Sequence, residues 1–166
     1  MHNELSRKDI EDMQKEIEHR KVVVRPELLE HVKDARAQGD LSENFEYYAA
    51  KREKNKNESR IRYLERMIKT AVVIEDETEA DEVGLNKTVE VEFADDGSTA
   101  TYKIVTTVRG NSLAGLISTE SPVGKALLGH KVGDTVHVQV NPQVGYDLII
   151  KDIKDTGDEE EKLRSF

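Results

Sequence analysis

The sequence has no cysteine, no tryptophan and only three prolines among its 166 residues. Without cysteine it can form neither disulfide bonds nor thiolate metal sites, which fits a reducing compartment. No run approaches the roughly 18 apolar residues that a membrane-spanning helix needs, and the first residues lack the apolar stretch of a signal peptide. We therefore expect a soluble cytoplasmic protein whose metal ligands, if any, are oxygen or histidine atoms.

Charge is abundant but unevenly distributed. Residues 1–70 contain 16 Lys or Arg and 15 Asp or Glu, whereas residues 71–166 contain 9 and 19. The net charge of −9 argues against wrapping of nucleic acid, because non-specific affinity depends on a net basic face. Any contact with nucleic acid should therefore be local.

The N-terminal part has a helical period. Apolar residues between Ser6 and about Gln38 recur every three, four or seven positions, which predicts an amphipathic helix. Ser6 followed by Asp9 is a variant of the capping pattern at a helix start. Pro26 predicts a kink near Val24, because proline lacks an amide donor and restricts the residue before it.

A second helical run begins at Asp40, directly after a turn at Gly39, so the two helices should lie antiparallel. In such a hairpin, positions on the two helices whose residue numbers add to about 80 face each other. This pairing brings apolar residues together at both ends of the hairpin and leaves its middle polar. The predicted contacts are Ala35 with Phe45, Val32 with Tyr48, Ile17 with Leu64 and Met13 with Met67, while Leu28 and Val24 face Arg52 and Lys56.

After Lys69 the period changes to two, which predicts strands over 71–75, 88–93, 101–105, 113–118, 135–140 and 146–153. Turn residues at 95–97 and 141–145 predict two antiparallel hairpins. A short helix is expected over 121–129, and the acidic segment 75–84 should be a loop. The fold class is therefore α+β, with a long antiparallel helical hairpin over 1–74 and a small α+β domain over 75–166.

The turn GDLSEN (39–44) carries the one suggestive group of chemical residues. Asp40 and Glu43 have the spacing of a capping box, which satisfies the amides at a helix start and is the simpler explanation. The alternative is an incomplete Mg²⁺ site, because Mg²⁺ often takes one or two carboxylates and fills its shell with water and phosphate. Such a pair becomes useful only inside a partner's two-metal centre. The sequence contains no Walker A motif, nucleotide-binding glycine pattern or nucleophile elbow.

The segment KREKNKNESRIR (51–62) contains six basic residues and two glutamates. It is either the solvated flank of a helix pair or a local contact with phosphate or RNA.

Two segments carry a family resemblance. RPELLEHVKDARAQGDLSENFEYYAAKRE (25–53) and SPVGKALLGHKVGD (121–134) resemble the bacterial transcription elongation factors GreA and GreB, and GreA more closely. The resemblance covers essentially the whole chain. It implies an N-terminal antiparallel coiled coil and a C-terminal domain with the FKBP-like fold.

The same resemblance implies a function. The coiled coil of Gre factors enters the secondary channel of backtracked RNA polymerase and stimulates hydrolysis of the extruded RNA 3′ end by the polymerase itself. The chain would be an accessory factor without its own active centre or cofactor, sharing Mg²⁺ with the polymerase. Its partners would be RNA polymerase and the nascent RNA 3′ end, without a membrane or small-molecule substrate, and we expect it to be monomeric.

Family roles transfer only to matching positions. Asp40 and Glu43 match the acidic pair thought to help hold the second Mg²⁺. The neighbouring tip residues are Asn44, Glu46 and Tyr47, the RNA-facing residues are Arg52, Lys56 and Arg60, and the polymerase-docking residues are Ser121 and Pro122. Phe45 departs from the family pattern because it replaces a small residue.

Two other functions stay open. A channel-binding Gre paralogue could modulate or inhibit polymerase without promoting cleavage. A peptidyl-prolyl isomerase is suggested only by the implied FKBP-like domain, and it would need an aromatic-lined pocket. Residues 71–166 contain four aromatic residues, namely Phe93, Tyr102, Tyr146 and Phe166.

Overall fold

The computed structural model describes residues 3–39, 44–157 and 162–165. Its contacts divide the chain into two compact units. The helical unit comprises residues 10–71, and the sheet unit combines the first nine residues with the chain from residue 72 onward. The short N-terminal segment therefore packs with the sheet unit, while the domain division after residue 74 stays a prediction. The α+β class is confirmed by the elements of the two units.

The first helical run is interrupted but does not stop. Helix α1 (Arg7–His19) leads into a π-helical segment (Arg20–Val24) and then into α2 (Arg25–Arg36). The Arg25 amide donates to the Arg20 carbonyl, five residues back, and Pro26 lies in the first turn of α2. Proline has no amide hydrogen to donate to the preceding turn of the helix. The kink predicted near Val24 is therefore seen as a π-helical segment, whose turns are wider than those of an α-helix.

Helix α3 (Phe45–Lys69) runs antiparallel to the first run. Both Arg25 guanidinium nitrogens Nε and Nη2 bind Glu58 at 2.9 Å, and Arg20 Nη1 donates to the Asn57 side chain at 2.9 Å. Near the turn, Asn44 contacts the carbonyl of Ala35. Residue numbers fall along one helix as they rise along the other, which is the antiparallel arrangement that the sequence predicts.

The face of α3 that is turned away from solvent follows alternating steps of three and four residues. We call this set the seam; its buried or half-buried members are Tyr47, Ala50, Lys54, Asn57, Ile61, Leu64 and Ile68. At the end far from the turn Met13 and Leu64 are fully buried, while the predicted contacts of Met13 with Met67 and of Ile17 with Leu64 stay predictions. The middle is polar, as predicted, although its seam residues are Lys54 and Asn57 rather than Arg52 and Lys56.

The predicted packing beside the turn is wrong by one or two residues. Phe45 is 85% exposed and Tyr48 is 43% exposed, whereas Tyr47 is buried. Adjacent helical residues point about 100° apart, so a shift of this size moves a side chain from the seam to solvent.

The sheet unit contains a five-stranded sheet. Its strands are β3 (Lys87–Phe93), β4 (Thr99–Val105), β5 (Leu116–Ser118), β6 (Thr135–Asn141) and β7 (Val144–Asp155). Across the sheet they stand in the order β5-β4-β3-β7-β6. Both predicted hairpins, β3–β4 and β6–β7, are antiparallel, while β4 and β5 pair in parallel. A separate pair joins β1 (Glu4–Leu5) to β2 (Val72–Val73), so the strand predicted over 71–75 is shorter.

The core of the sheet unit lies against the short helix α4 (Pro122–Leu127), which confirms the helix predicted over 121–129. Its buried members are Val83, Val89, Val91, Ile104, Ile117, Leu127, Val136, Val138, Leu148 and Ile150. The alternation of these residues along β3 and β6 is typical of strands with one covered face.

The acidic segment 75–84 contains neither helix nor extended strand, as predicted, and a buried lysine contacts it. Lys87 is buried, and its Nζ donates to the carbonyls of Glu79 and Glu82 at 2.6 and 3.0 Å and to Thr78 Oγ1 at 2.9 Å. Because a buried ammonium must be paired and hydrogen-bonded, these contacts fix the loop against β3.

Candidate functional site

The turn between α2 and α3 carries the predicted acidic pair. Asp40 and Glu43 both lie outside the described residues, so their predicted role stays a prediction. The described flanks are the end of α2, Gly39 and Asn44. Gly39 has a φ of 125°, a conformation that side chains oppose, which is why glycine suits this position.

Asn44 links the two helices at the base of this turn. Its Oδ1 accepts a hydrogen bond from the Tyr47 amide at 3.0 Å, which makes it the N-cap of α3. Its Nδ2 donates to the Ala35 carbonyl at 2.7 Å, across the turn. Asn44 thus occupies the N-cap position of α3. The capping-box interpretation concerns Asp40 and Glu43, which lie outside the described residues, and it stays a prediction.

Tyr47 anchors the first turn of α3 against α2. Its hydroxyl accepts a hydrogen bond from Arg36 Nη2 at 3.3 Å, and the Arg36 guanidinium lies 5.5 Å from the ring centroid. The hydrogen bond from Arg36 lowers the pKa of the Tyr47 hydroxyl. Tyr48 meets the Tyr47 ring edge-on at 5.4 Å between centroids, while Glu46 is exposed. The structure therefore places Asn44 and Tyr47 in supporting contacts and leaves Glu46 facing solvent.

The three predicted RNA-facing cations differ in their exposure to solvent. Arg52 and Lys56 are exposed, but Arg60 is only 7% exposed. The Nε and Nη2 atoms of Arg60 donate to the Glu16 carboxylate at 2.8 and 3.2 Å.

The Glu16 carboxylate binds two arginines inside the helical unit. Arg20 Nε donates to its Oε2 at 2.7 Å, beside the bonds from Arg60. Burial acts to raise the pKa of Glu16, but the hydrogen bonds from Arg60 and Arg20 outweigh it and hold the pKa below its usual value of 4.5. This ion cluster explains why Arg60 faces inward.

Ser121 and Pro122, the predicted docking pair, begin α4. Ser121 Oγ accepts from the Gly124 amide at 3.1 Å and donates to the Ser118 carbonyl at 2.7 Å, while Pro122 is exposed. A Cβ on Gly124 would lie 2.0 Å from the Ser118 oxygen, so only glycine allows α4 to approach β5 this closely. The SP-x-G pattern is therefore a compact helix start that presents proline to solvent.

An open groove of about 920 Å³ lies beside Ser121 and is lined by residues of the 109–118 segment and by Lys162–Ser165. None of the described residues that line it is aromatic. It therefore lacks the aromatic wall that a peptidyl-prolyl isomerase pocket would need.

Within the ranges 3–39, 44–157 and 162–165, no three His, Asp or Glu side chains are grouped so that they could hold a metal ion. No described helix is long and apolar enough to cross a membrane.

Sequence reasoning missed a buried polar cluster in the sheet unit. Asp9 and Arg109 are both buried, Arg109 Nε donates to the Asp9 carboxylate, and Thr106 Oγ1 donates to the same carboxylate at 2.7 Å. The predicted cap is confirmed, because Ser6 and Asp9 exchange backbone-to-side-chain bonds at 2.9 and 3.1 Å. The capping signal located Asp9, but no local pattern relates it to a residue one hundred positions away.

Comparisons with known proteins agree over both halves of the chain. The model described as "Transcription elongation factor, N-terminal" matches residues 3–73, and the model "Transcription elongation factor, GreA/GreB, C-term" matches residues 76–155. The transcription elongation factor GreA of Geobacillus kaustophilus is 45% identical over 142 residues, covering 85% of this chain and 88% of that protein. GreA of Streptococcus sanguinis is 42% identical over 147 residues, covering 88% and 91%.

Among solved structures, the GreA factor homolog 1 of Thermus thermophilus aligns with 90% of this chain and 97% of its own, at 29% identity and a TM-score of 0.41. The assignment depends on the sequence matches, which span nearly the whole chain. On that basis the chain belongs to the GreA/GreB family of transcription elongation factors.

Proposed function

We propose that this elongation factor binds backtracked RNA polymerase through its secondary channel and stimulates the polymerase to cleave the extruded RNA 3′ end. The observation that carries the proposal is that Asn44 joins the antiparallel helices α2 and α3, while the sequence has the carboxylates of Asp40 and Glu43 between these two helices. Because Asn44 already caps α3, the two acids are not needed for that structural task.

Asp40 and Glu43 would act on Mg²⁺ only within the polymerase. Two carboxylates are the oxygen donors that Mg²⁺ prefers, but they leave most of its six positions to other ligands. A shared metal ion would supply Lewis-acid stabilisation of the phosphodiester oxygens. This chain would contribute the two side chains and the rigid helices that place them, and it would not be an enzyme by itself.

Three finer assignments belong to the same proposal. The alternating three- and four-residue spacing of the seam supports an antiparallel coiled coil. A five-stranded sheet with one short helix supports an FKBP-like C-terminal domain. Pro122, exposed at the start of α4, supports docking on polymerase through the Ser121–Pro122 pair.

The test is RNA cleavage by backtracked elongation complexes in the presence of Mg²⁺. Wild-type protein should shorten the RNA in these complexes but leave free RNA intact, and D40A and E43A should each abolish the stimulation. D34A is the matched control, because Asp34 is an exposed carboxylate on α2 in the same unit.

Retained cleavage in both tip variants would contradict the metal role. Polymerase binding by wild-type protein without any cleavage would favour the channel-binding paralogue instead.

A further inference from the structure

The side of α3 opposite the seam is sorted by charge. We call its members the outer stripe: Phe45, Tyr48, Ala49, Arg52, Asn55, Lys56, Ser59, Arg62, Tyr63, Arg66 and Lys69. It contains five cations and no carboxylate. The four glutamates of the helix all stand next to seam positions in the sequence, at Glu46, Glu53, Glu58 and Glu65. Such separation makes the stripe locally basic although the whole chain is acidic.

Two aromatic side chains begin this stripe next to the turn. Phe45 is 85% exposed and Tyr48 is 43% exposed. Tyr48 rests edge-on against Tyr47, which Arg36 holds by a hydrogen bond and a cation–π contact. The first turn of α3 therefore presents exposed aromatic side chains, and contacts with neighbouring residues hold Tyr48 in place.

Proteins bind single-stranded nucleic acid with exposed aromatic side chains beside basic ones. The bases stack on the aromatic rings, and the phosphates contact the basic side chains. Arg52 follows Phe45 by seven residues, about 10 Å along the helix, and Lys56 follows after about 6 Å more. The stripe thus offers stacking near the turn and phosphate contacts behind it. The absence of carboxylates along it favours a polyanion as the occupant.

We propose that Phe45, with Tyr48 beside it, stacks on the terminal bases of the extruded RNA and so positions the RNA 3′ end. The inference rests on the proposed function, because it assumes that the turn meets this RNA inside the polymerase. Phe45 is a positioning residue here, since the acidic pair is assigned to the reaction centre.

The experiment uses a backtracked elongation complex that carries 2-aminopurine as the 3′-terminal RNA base. Stopped-flow fluorescence recorded before cleavage reports stacking of that base, and the concentration dependence of cleavage gives the half-saturating factor concentration. Wild-type protein and F45W should quench the fluorescence. F45A and F45L should lose the quench and raise the half-saturating concentration about 5- to 150-fold, the range expected for one stacked base.

F45L separates stacking from a simple apolar contact, because leucine keeps bulk and hydrophobicity without a π face. L29A is the matched control, since Leu29 is an exposed apolar residue on α2 outside the outer stripe. It should behave as wild type, and thermal unfolding of F45A should match wild type because Phe45 is so exposed.

The stacking role would be overturned if F45A or F45L quenched the fluorescence and half-saturated cleavage at the same concentration as wild type. It would also be overturned if F45W failed to quench and needed a higher half-saturating concentration. If wild-type protein stimulates cleavage without quenching the base, the inference fails while the proposed function stands. If wild-type protein gives no cleavage, the proposed function fails and the inference fails with it.

Discussion

The Asn44 side-chain amide donates to the Ala35 carbonyl at 2.7 Å, which joins the end of the first helical run to the start of the second. The same side chain caps α3 through the Tyr47 amide. One residue therefore closes the hairpin and starts its second helix, directly after Glu43.

Replacing Asn44 should separate these two tasks. We expect N44A to lower the free energy of unfolding by about 1 kcal/mol or more, because it loses the cap and the cross-turn bond. N44D keeps a cap acceptor but cannot donate to Ala35, so its loss of stability should be smaller while cleavage stimulation still falls. Denaturant unfolding and the cleavage assay measure the two effects. Equal behaviour of N44A and N44D in both assays would argue against the cross-turn bond as a positioning contact.

The buried ion pair of Asp9 and Arg109 should make each residue costly to replace alone. Removing one partner leaves a buried charge, so D9N and R109M should each lower the free energy of unfolding by about 3–5 kcal/mol. The double variant should lose less than the sum of the two, and a double-mutant cycle by chemical denaturation gives the coupling. Additive losses would mean that the two side chains do not interact.

Glu16 should make stability depend on pH in the acidic range. Its pKa is lower in the folded chain than its usual 4.5, so the contribution is present above that value and is lost as the pH falls through the folded pKa. We therefore expect the difference in unfolding free energy between wild type and E16Q to be largest near neutral pH and to shrink as the pH falls below about 4.5. Urea titrations across this range measure it, and a difference that grows on acidification would contradict the assignment.

Gly124 should be intolerant of any side chain. A Cβ would lie 2.0 Å from the Ser118 carbonyl oxygen, so G124A should displace α4 and lower the free energy of unfolding by about 1–3 kcal/mol. K125A, at the next and exposed position of the same helix, is the control and should change stability little. Thermal unfolding of the pair compares them directly. Polymerase binding should fall in G124A if the Ser121–Pro122 pair is the docking site, and unchanged binding would remove support for that site.

The periods in the sequence predict the helices, most of the sheet and both hairpins, because these depend on residues close together in the chain. The same local logic finds the Ser6–Asp9 cap, the interruption before Pro26 and the short helix at Pro122. The spacing of Asp40 and Glu43 also identifies the acidic turn, and the family resemblance implies its role.

The sequence alone fixes the local elements and the residues that can carry chemistry, whereas only the tertiary structure decides which side of each element is covered. The apolar character of Phe45 suggested a buried position, yet the start of α3 at Asn44 turns Tyr47 inward and leaves Phe45 in solvent. Arg60 turns inward because Glu16, on the opposite helix, offers it a carboxylate. Neighbouring side chains on a helix differ by about 100° in direction, so the register between two helices must be known before a face can be assigned.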